Sequence, residues 1–174
     1  LLFGVVSKAD SLFAEVDSCY NQLRKRASLS SSSLSIVSEL KSGSAWYVPG
    51  GCSTIGRLFN DACGRYAFAG DKHSGSIPLA FETVFDKAGD ADVWTIKYNR
   101  DRDMTYSDLK ADYIGYTGFK AFKTRNIYGC NTAKVPFYEE TPFRPDYLLS
   151  DLIQILHPEI GDLGGLRYFC KLNE

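Results

Sequence analysis

Apolar residues at Leu2, Val5, Val6, Ala9, Leu12, Phe13, Val16, Tyr20 and Leu23 recur at three- and four-residue intervals. That spacing predicts one long amphipathic helix over residues 1–27, its apolar stripe turned inward. No capping residue precedes it, as expected of a chain severed just before or within a helix. The hydroxyls of Ser28–Ser33 compete for backbone bonds and end it in a connector. The pattern then changes character. Leu34–Leu40 and Trp46–Val48 read as strands, and Pro49-Gly50-Gly51 reads as a turn. Ser53 or Thr54 caps a helix that carries Ile55, Leu58, Phe59 and Ala62 on one face. Tyr66–Ala69 reads as a short strand. Pro78 opens a helix with Phe81, Val84, Phe85 and Ala88 inward, and Gly89 stops it.

Val93–Tyr98 is a run of strand-forming residues. Helical stretches follow at Tyr106–Leu109 and Gly115–Lys123, then a short strand at Ile127–Tyr128. A loop from Val135 to Pro145 leads to a helix over Asp146–Leu156, and Leu166–Leu172 closes the chain as a strand. Strands alternating with helices imply right-handed crossovers. The expected fold is α/β: a three-layer lobe with a mostly parallel central sheet flanked by helices, preceded by the long helix.

Composition narrows the function. The 174 residues suffice for one domain with a proper core. Twenty Lys and Arg against 21 Asp and Glu leave a formal charge of −1, which gives no footprint for nucleic acid. No apolar run approaches the roughly 18–20 residues of a membrane-spanning helix. Five scattered cysteines and two histidines offer no zinc spacing, so no metal site is expected, and the cysteines read as buried thiols.

Parallel α/β sheets bind ligands beyond the carboxyl ends of their strands, so residues that follow a strand count. Pro49–Ser53, Asn99-Arg100-Asp101 and Gly129-Cys130-Asn131 pass this filter. Asp90-Ala91-Asp92 precedes its strand and reads as a solvated turn rather than a metal site. Asp101-Arg102-Asp103 lies on the right side and reads as a salt-bridged loop. Gly50-Gly51 before a helix invites a phosphate reading, but neither dinucleotide nor P-loop spacing is present. A nucleotide or sugar-nucleotide enzyme domain is therefore the alternative. Nothing places Ser53, His73 and Asp71 in a triad, and no catalytic residue or cofactor is expected. Trp46, Tyr47, Tyr98, Phe137 and Tyr138 lie near strand ends or in loops, where rings beside Asn and Arg suit a large, flat, partly polar ligand. Trp46, Tyr47, Ser76, Asn99, Arg100, Asn131, Phe137 and Tyr138 are the ligand-binding candidates.

Several segments, in this order, carry a resemblance: Trp46-Tyr47-Val48-Pro49-Gly50-Gly51, Leu58, Asp61-Ala62-Cys63-Gly64, Gly75-Ser76-Ile77-Pro78-Leu79 with Glu82, and Lys87-Ala88 to Asp92. Phe119-Lys120-Ala121-Phe122, Asn126-Ile127-Tyr128, Arg144-Pro145-Asp146 and Ile155-Leu156-His157-Pro158-Glu159 continue it. The chain resembles the carboxyl-terminal lobe of periplasmic substrate-binding proteins that serve ferric-siderophore, haem and vitamin B12 importers. The resemblance implies a non-enzymatic binding protein in the periplasm, lipid-anchored in some parents, with an ABC permease in the inner membrane as partner. It implies residues 1–27 as the helix joining two lobes, residues 28–174 as the second lobe, and an amino-terminal lobe absent from the chain. A helical joint resists bending, so limited closure and weak binding by one lobe alone are expected. Glu82 matches the family's permease-docking position, although a first-turn acid is also favoured by the helix dipole. Tyr47, the loop around Ser76, Asn99-Arg100 and Phe137-Tyr138 match ligand-facing loops. Cys63 stands where relatives carry Gly, and Cys52 where they carry a larger or polar residue.

Overall fold

The computed structural model describes residues 4–174. A long helix, α1 (Val6–Ser28), leads through the serine connector into strand β1 (Ser35–Ser38). Strand β2 (Lys41–Ser42) turns at Gly43 into β3 (Ala45–Pro49), and helix α2 (Thr54–Asp61) returns the chain to β4 (Arg65–Tyr66). Strand β5 (Ser76–Leu79) precedes α3 (Phe81–Ala88) and β6 (Val93–Tyr98). Helix α4 (Tyr106–Asp112), a 3₁₀ turn (Ile114–Gly118) and α5 (Lys120–Lys123) connect β6 to β7 (Ile127–Asn131). Short α6 (Phe137–Glu140), α7 (Pro145–Leu156) and two-residue β8 (Cys170–Lys171) complete the lobe.

The central sheet has the order β4-β1-β6-β7-β8 and is parallel except for β8. This is the α/β lobe that the alternating pattern implies. Strand β6 is buried along nearly its whole length, as an inner parallel strand covered on both faces must be. Helix α1 packs on α7, and α7 packs on α2. A second small antiparallel sheet, β2-β3-β5, stands beside the first.

The structure departs from the sequence reading at five places. Strand β3 belongs to the small sheet, not to the parallel one. Pro78 lies inside β5 opposite Tyr47, and its helix begins only at Phe81, after the extended Ala80. Proline lacks an N–H and is accommodated on that edge strand. Tyr66–Ala69 is mostly a turn, closed by Ala69 N–H donating to the Tyr66 carbonyl. Residues 166–172 form a strand only at Cys170–Lys171, because Asp151 takes the backbone N–H groups of Arg167, Tyr168 and Phe169 at 2.8, 2.8 and 3.2 Å. Finally, Val5, Val6, Leu12 and Phe13 are exposed, so the amino half of the α1 stripe is left largely open to solvent. Leu2, at the start of that stripe, lies outside the described residues.

All five cysteines are unpaired, but only Cys130 is the buried thiol expected of them: Cys19, Cys52 and Cys63 are half-buried and Cys170 is exposed. Burial pushes the Cys130 thiol up to about 12, so it stays protonated and packs as a small apolar group.

Two carboxylates tie the framework together. At the amino end of the sheet Asp92 accepts from the Ser35 N–H (2.8 Å), the Ser35 hydroxyl (2.7 Å) and Lys120 Nζ (2.6 Å). Burial alone would push its carboxyl up, but the bonds from Lys120 and Ser35 outweigh it and hold the value at about 2. The stability this group contributes is therefore complete above its unfolded value of 3.8 and is lost as pH falls towards about 2. Thermal melts across that window should show a flattened acid limb in Asp92→Asn relative to the parent. Replacement of the other carboxylate, Asp151→Ala, strands three N–H groups, those of Tyr168 and Phe169 buried and that of Arg167 half-buried. Urea denaturation should register a loss of about 3 kcal/mol.

Candidate functional site

The carboxyl ends of β4, β1, β6 and β7 form one rim, because the four strands run parallel. The turn after β3 also reaches this rim, although β3 lies outside the parallel sheet. Tyr66, ending β4, donates its hydroxyl to the Pro49 carbonyl at 2.7 Å. The loops after Val48, Tyr98 and Tyr128 thus share one side of the lobe.

The glycine turn is a packing device. Gly50 N–H donates to the Gly75 carbonyl at 2.9 Å, and a Cβ on Gly51 would sit 2.2 Å from the Ala69 carbonyl oxygen. Ser53 Oγ caps α2 by accepting from Gly56 N–H at 3.0 Å and donates to the Gly50 carbonyl at 2.6 Å. The cap uses the helix terminus that a phosphate would need. Ser53 is thereby committed, while Asp71 pairs with His73, two residues on, at 3.0 Å. Those three residues do not assemble into a triad.

Along the rim the candidates separate by burial. Trp46 is 0% exposed. Its ring stacks on Trp94 at 5.6 Å and its Nε1 donates to the Ser38 carbonyl at 2.9 Å. This ring is core, and placing it against a ligand is corrected here. Its neighbour Tyr47 points to the opposite face of β3, as alternation requires, and is 49% exposed. Ser76, paired with Pro49 at the start of β5, is exposed.

Asn131 is only 4% exposed, and its amide is fully used. Nδ2 donates to the Arg100 carbonyl at 2.8 Å, while Oδ1 accepts from the N–H groups of Arg100 and Ala133, both at 3.2 Å. It latches the loop after β6 to the end of β7 and presents nothing outward. Asn99 is exposed and donates to Thr132 Oγ1 at 3.2 Å. Arg100 pairs with Asp112 at 2.8 Å with both side chains partly in solvent. Arg102 grips Asp108 through two bonds of 2.7 and 2.6 Å, and Lys134 pairs with Asp103 at 3.0 Å. Residues 101–103 are the salt-bridged loop their alternating charges imply.

Phe137 is buried beneath the rim, and Tyr138 beside it is 63% exposed with the two rings 5.3 Å apart. Glu82 is exposed in the first turn of α3. Among the described residues no cluster of His, Cys, Asp and Glu is placed to hold a metal ion.

Two rim residues escaped the sequence reading. Lys97, one residue before the end of β6, forms an ion pair with Glu39, just beyond β1, and its ammonium lies 5.6 Å above the Phe137 ring. Glu39 adopts φ of 69°, unusual for a residue with a Cβ. It is held there by Glu39 N–H donating to the Thr95 carbonyl and by Trp94 Nε1 donating to the Glu39 carbonyl, both at 2.9 Å. The available signal was one charge of each sign inside otherwise apolar strand runs.

Comparison with known proteins identifies this framework. Residues 2–133 match the family described as periplasmic binding protein. An uncharacterised lipoprotein of Methanocaldococcus jannaschii is 31% identical over 128 residues, covering 73% of this chain but 30% of that protein. Among solved structures, the haem complex of IsdE from S. aureus superposes with a TM-score of 0.69 at 17% identity, over 90% of this chain and 60% of that one. The TroA-like periplasmic binding protein FepB of Veillonella parvula gives 0.68 at 14% identity, over 96% and 57%. The haem-binding protein RhuT of Roseiflexus sp. RS-1, in apo form, gives 0.69 at 18% identity, over 90% and 58%. These likenesses show the fold, and the chain spans well under two thirds of each relative. By the family match, this chain belongs to the periplasmic binding proteins, a family of binding proteins rather than enzymes.

Proposed function

We propose that the chain forms one wall of the ligand cleft in an extracytoplasmic solute-binding protein, lipid-anchored like its archaeal relative, that feeds an ABC permease. The observation that carries this reading is the rim. Asn99 and Arg100 follow β6, exposed Tyr138 lies beyond β7, and exposed Tyr47 sits on β3 just before the turn that reaches the same rim, in a chain of this family. Flat, partly exposed rings together with polar side chains on one rim suit a large, rigid ligand with an apolar face and a polar edge. A tetrapyrrole such as haem or cobalamin, or an aromatic iron–siderophore chelate, has that shape. The haem complex of IsdE, which shares this fold, supports the same class.

The opposite wall would come from a second lobe. The amino half of α1 exposes Val5, Val6, Leu12 and Phe13, an apolar stripe suited to burial against another body. Residues 1–27 then act as the joint between lobes and residues 28–174 as the carboxyl-terminal lobe. With one wall only, the isolated chain binds weakly. The exposed Glu82 in the first turn of α3 is the carboxylate through which this lobe docks on basic residues of the permease.

Titration of the full-length protein with haemin, cyanocobalamin and ferric siderophores, followed by absorbance and calorimetry, tests the cleft. One of these classes should bind, and Tyr47→Ala or Tyr138→Ala should each weaken it about 3- to 10-fold through lost ring contacts. Failure of all three classes to bind would remove the reading. The docking role has a separate signature: Glu82→Arg should cut uptake at least tenfold in cells while leaving ligand affinity unchanged. Unimpaired uptake would strike out that assignment.

A further inference from the structure

Beneath the rim lies a small, partly open space that packing leaves unfilled. Ser38 ends β1 in register with Thr95 of β6, so both side chains share one face of the sheet with Lys97 two residues on. The Ser38 residue is 3% exposed, and its Oγ is the one buried side-chain polar atom without a hydrogen-bond partner among the described residues. An unpaired hydroxyl in the interior costs roughly 1–3 kcal/mol, so such groups are seldom left alone.

The same hydroxyl-bearing residue lines a cavity of about 20 Å³. Thr95, Lys97 and Glu39 supply its other polar walls, Phe137 borders it, and Ile55 and Leu152 are among its apolar walls. A single water needs roughly 10–15 Å³ of such space and two to four polar neighbours. The volume suffices for one water, and Ser38, Glu39, Thr95 and Lys97 are the polar residues along an otherwise apolar lining.

We propose that this cavity is a binding site for one ordered water, held by Ser38 Oγ and shared with the Thr95 hydroxyl and the Glu39–Lys97 pair. The water accounts for three features that otherwise stand apart. It satisfies the orphaned hydroxyl. It hydrates from below an ion pair whose side chains are only 19% and 22% exposed, which lowers the desolvation cost of keeping charge there. It also fills the space beside Glu39, where the chain leaves β1 with its positive φ. Lys97 is thus positioned by four neighbours: the Glu39 carboxylate, the Phe137 ring, the Thr95 side and the water. The inference does not depend on which ligand crosses the rim.

The experiment is water–amide NOE spectroscopy on the chain, read at the Ser38 and Thr95 amides, in the parent and in Ser38→Ala and the shape-preserving Thr95→Val. A long-lived water signal in the parent that is lost in Ser38→Ala is expected, with about a fivefold fall in the folding equilibrium constant of that variant. Thr95→Val should weaken the signal without abolishing the fold. No bound-water signal in the parent would overturn the proposal, and so would a signal that persists undiminished in Ser38→Ala. A dry cavity has its own mark, since removal of an unpaired hydroxyl would then make Ser38→Ala more stable than the parent.

Discussion

Strand β6 is the member on which the lobe depends. It pairs in parallel with β1 on one side and β7 on the other, and five of its six residues are buried. A parallel pair cannot be closed by a hairpin, so each neighbour must be reached by a crossover that covers a face of the sheet. That requirement delivers every carboxyl end to one side. It also gives the two ends of the sheet different work. At the amino end Asp92 gathers Ser35, Lys120 and Arg65 into a tie that presents little outward. At the carboxyl end the chain must turn in loops, and there lie the exposed rings, the Arg100–Asp112 pair and the half-buried Glu39–Lys97 pair.

Sequence pattern revealed those elements whose neighbours are dictated by their own composition. Val93–Tyr98 is apolar enough to belong in an interior strand whatever surrounds it, and residues 6–28 and 145–156 are long enough for helical period to show. Other elements are decided by partners distant in sequence. Nothing within Ala45–Pro49 tells whether it joins the parallel sheet or pairs with Ser76–Leu79 in a second one. Pro78 resembles a helix start until its pairing with Tyr47 is known. The last segment looks like a strand because its residues are apolar, yet a buried carboxylate on α7 claims the N–H groups that a ladder would use.

The site followed the same division. The rule that ligands meet the carboxyl ends of parallel strands selected Asn99 and Arg100, and the aromatic positions near strand ends or in loops added Tyr47 and Tyr138. It did not separate a ring that faces out from one that faces in. Trp46 and Tyr47 are adjacent, and strand alternation sends one into a cluster with Trp94, Tyr116 and Phe119 while leaving the other at the surface. Asn131 carries the right chemistry for a ligand, but its four bonding positions at the end of β7 are consumed by the loop it holds. Glu39 and Lys97 stand out in sequence only as lone charges within apolar strand runs, and acquire meaning when β1 and β6 bring them together.

The attachment of α1 bears on how the lobe moves. Its carboxyl half is fastened at several points: Tyr20 donates to Asp61 at 2.8 Å, Arg24 pairs with Asp61 at 3.1 Å, and Ala27 is buried. The connector beyond is stitched to the end of α7, where Ser32 Oγ donates to Glu159 at 2.8 Å and lies 3.0 Å from His157 Nδ1. His157 Nε2 in turn contacts the Ala62 carbonyl at 2.7 Å at the end of α2. Among the described residues the amino half has one ion pair to the lobe, Arg144 to Glu15 at 3.4 Å, and its apolar side chains lie open. A helix clamped along half its length turns with the body that clamps it. Displacement of this lobe against anything held by the amino half must therefore bend α1 near the boundary between its clamped and open halves. Bending there strains the main-chain bonds of a continuous helix, a far stiffer restraint than a flexible linker would impose.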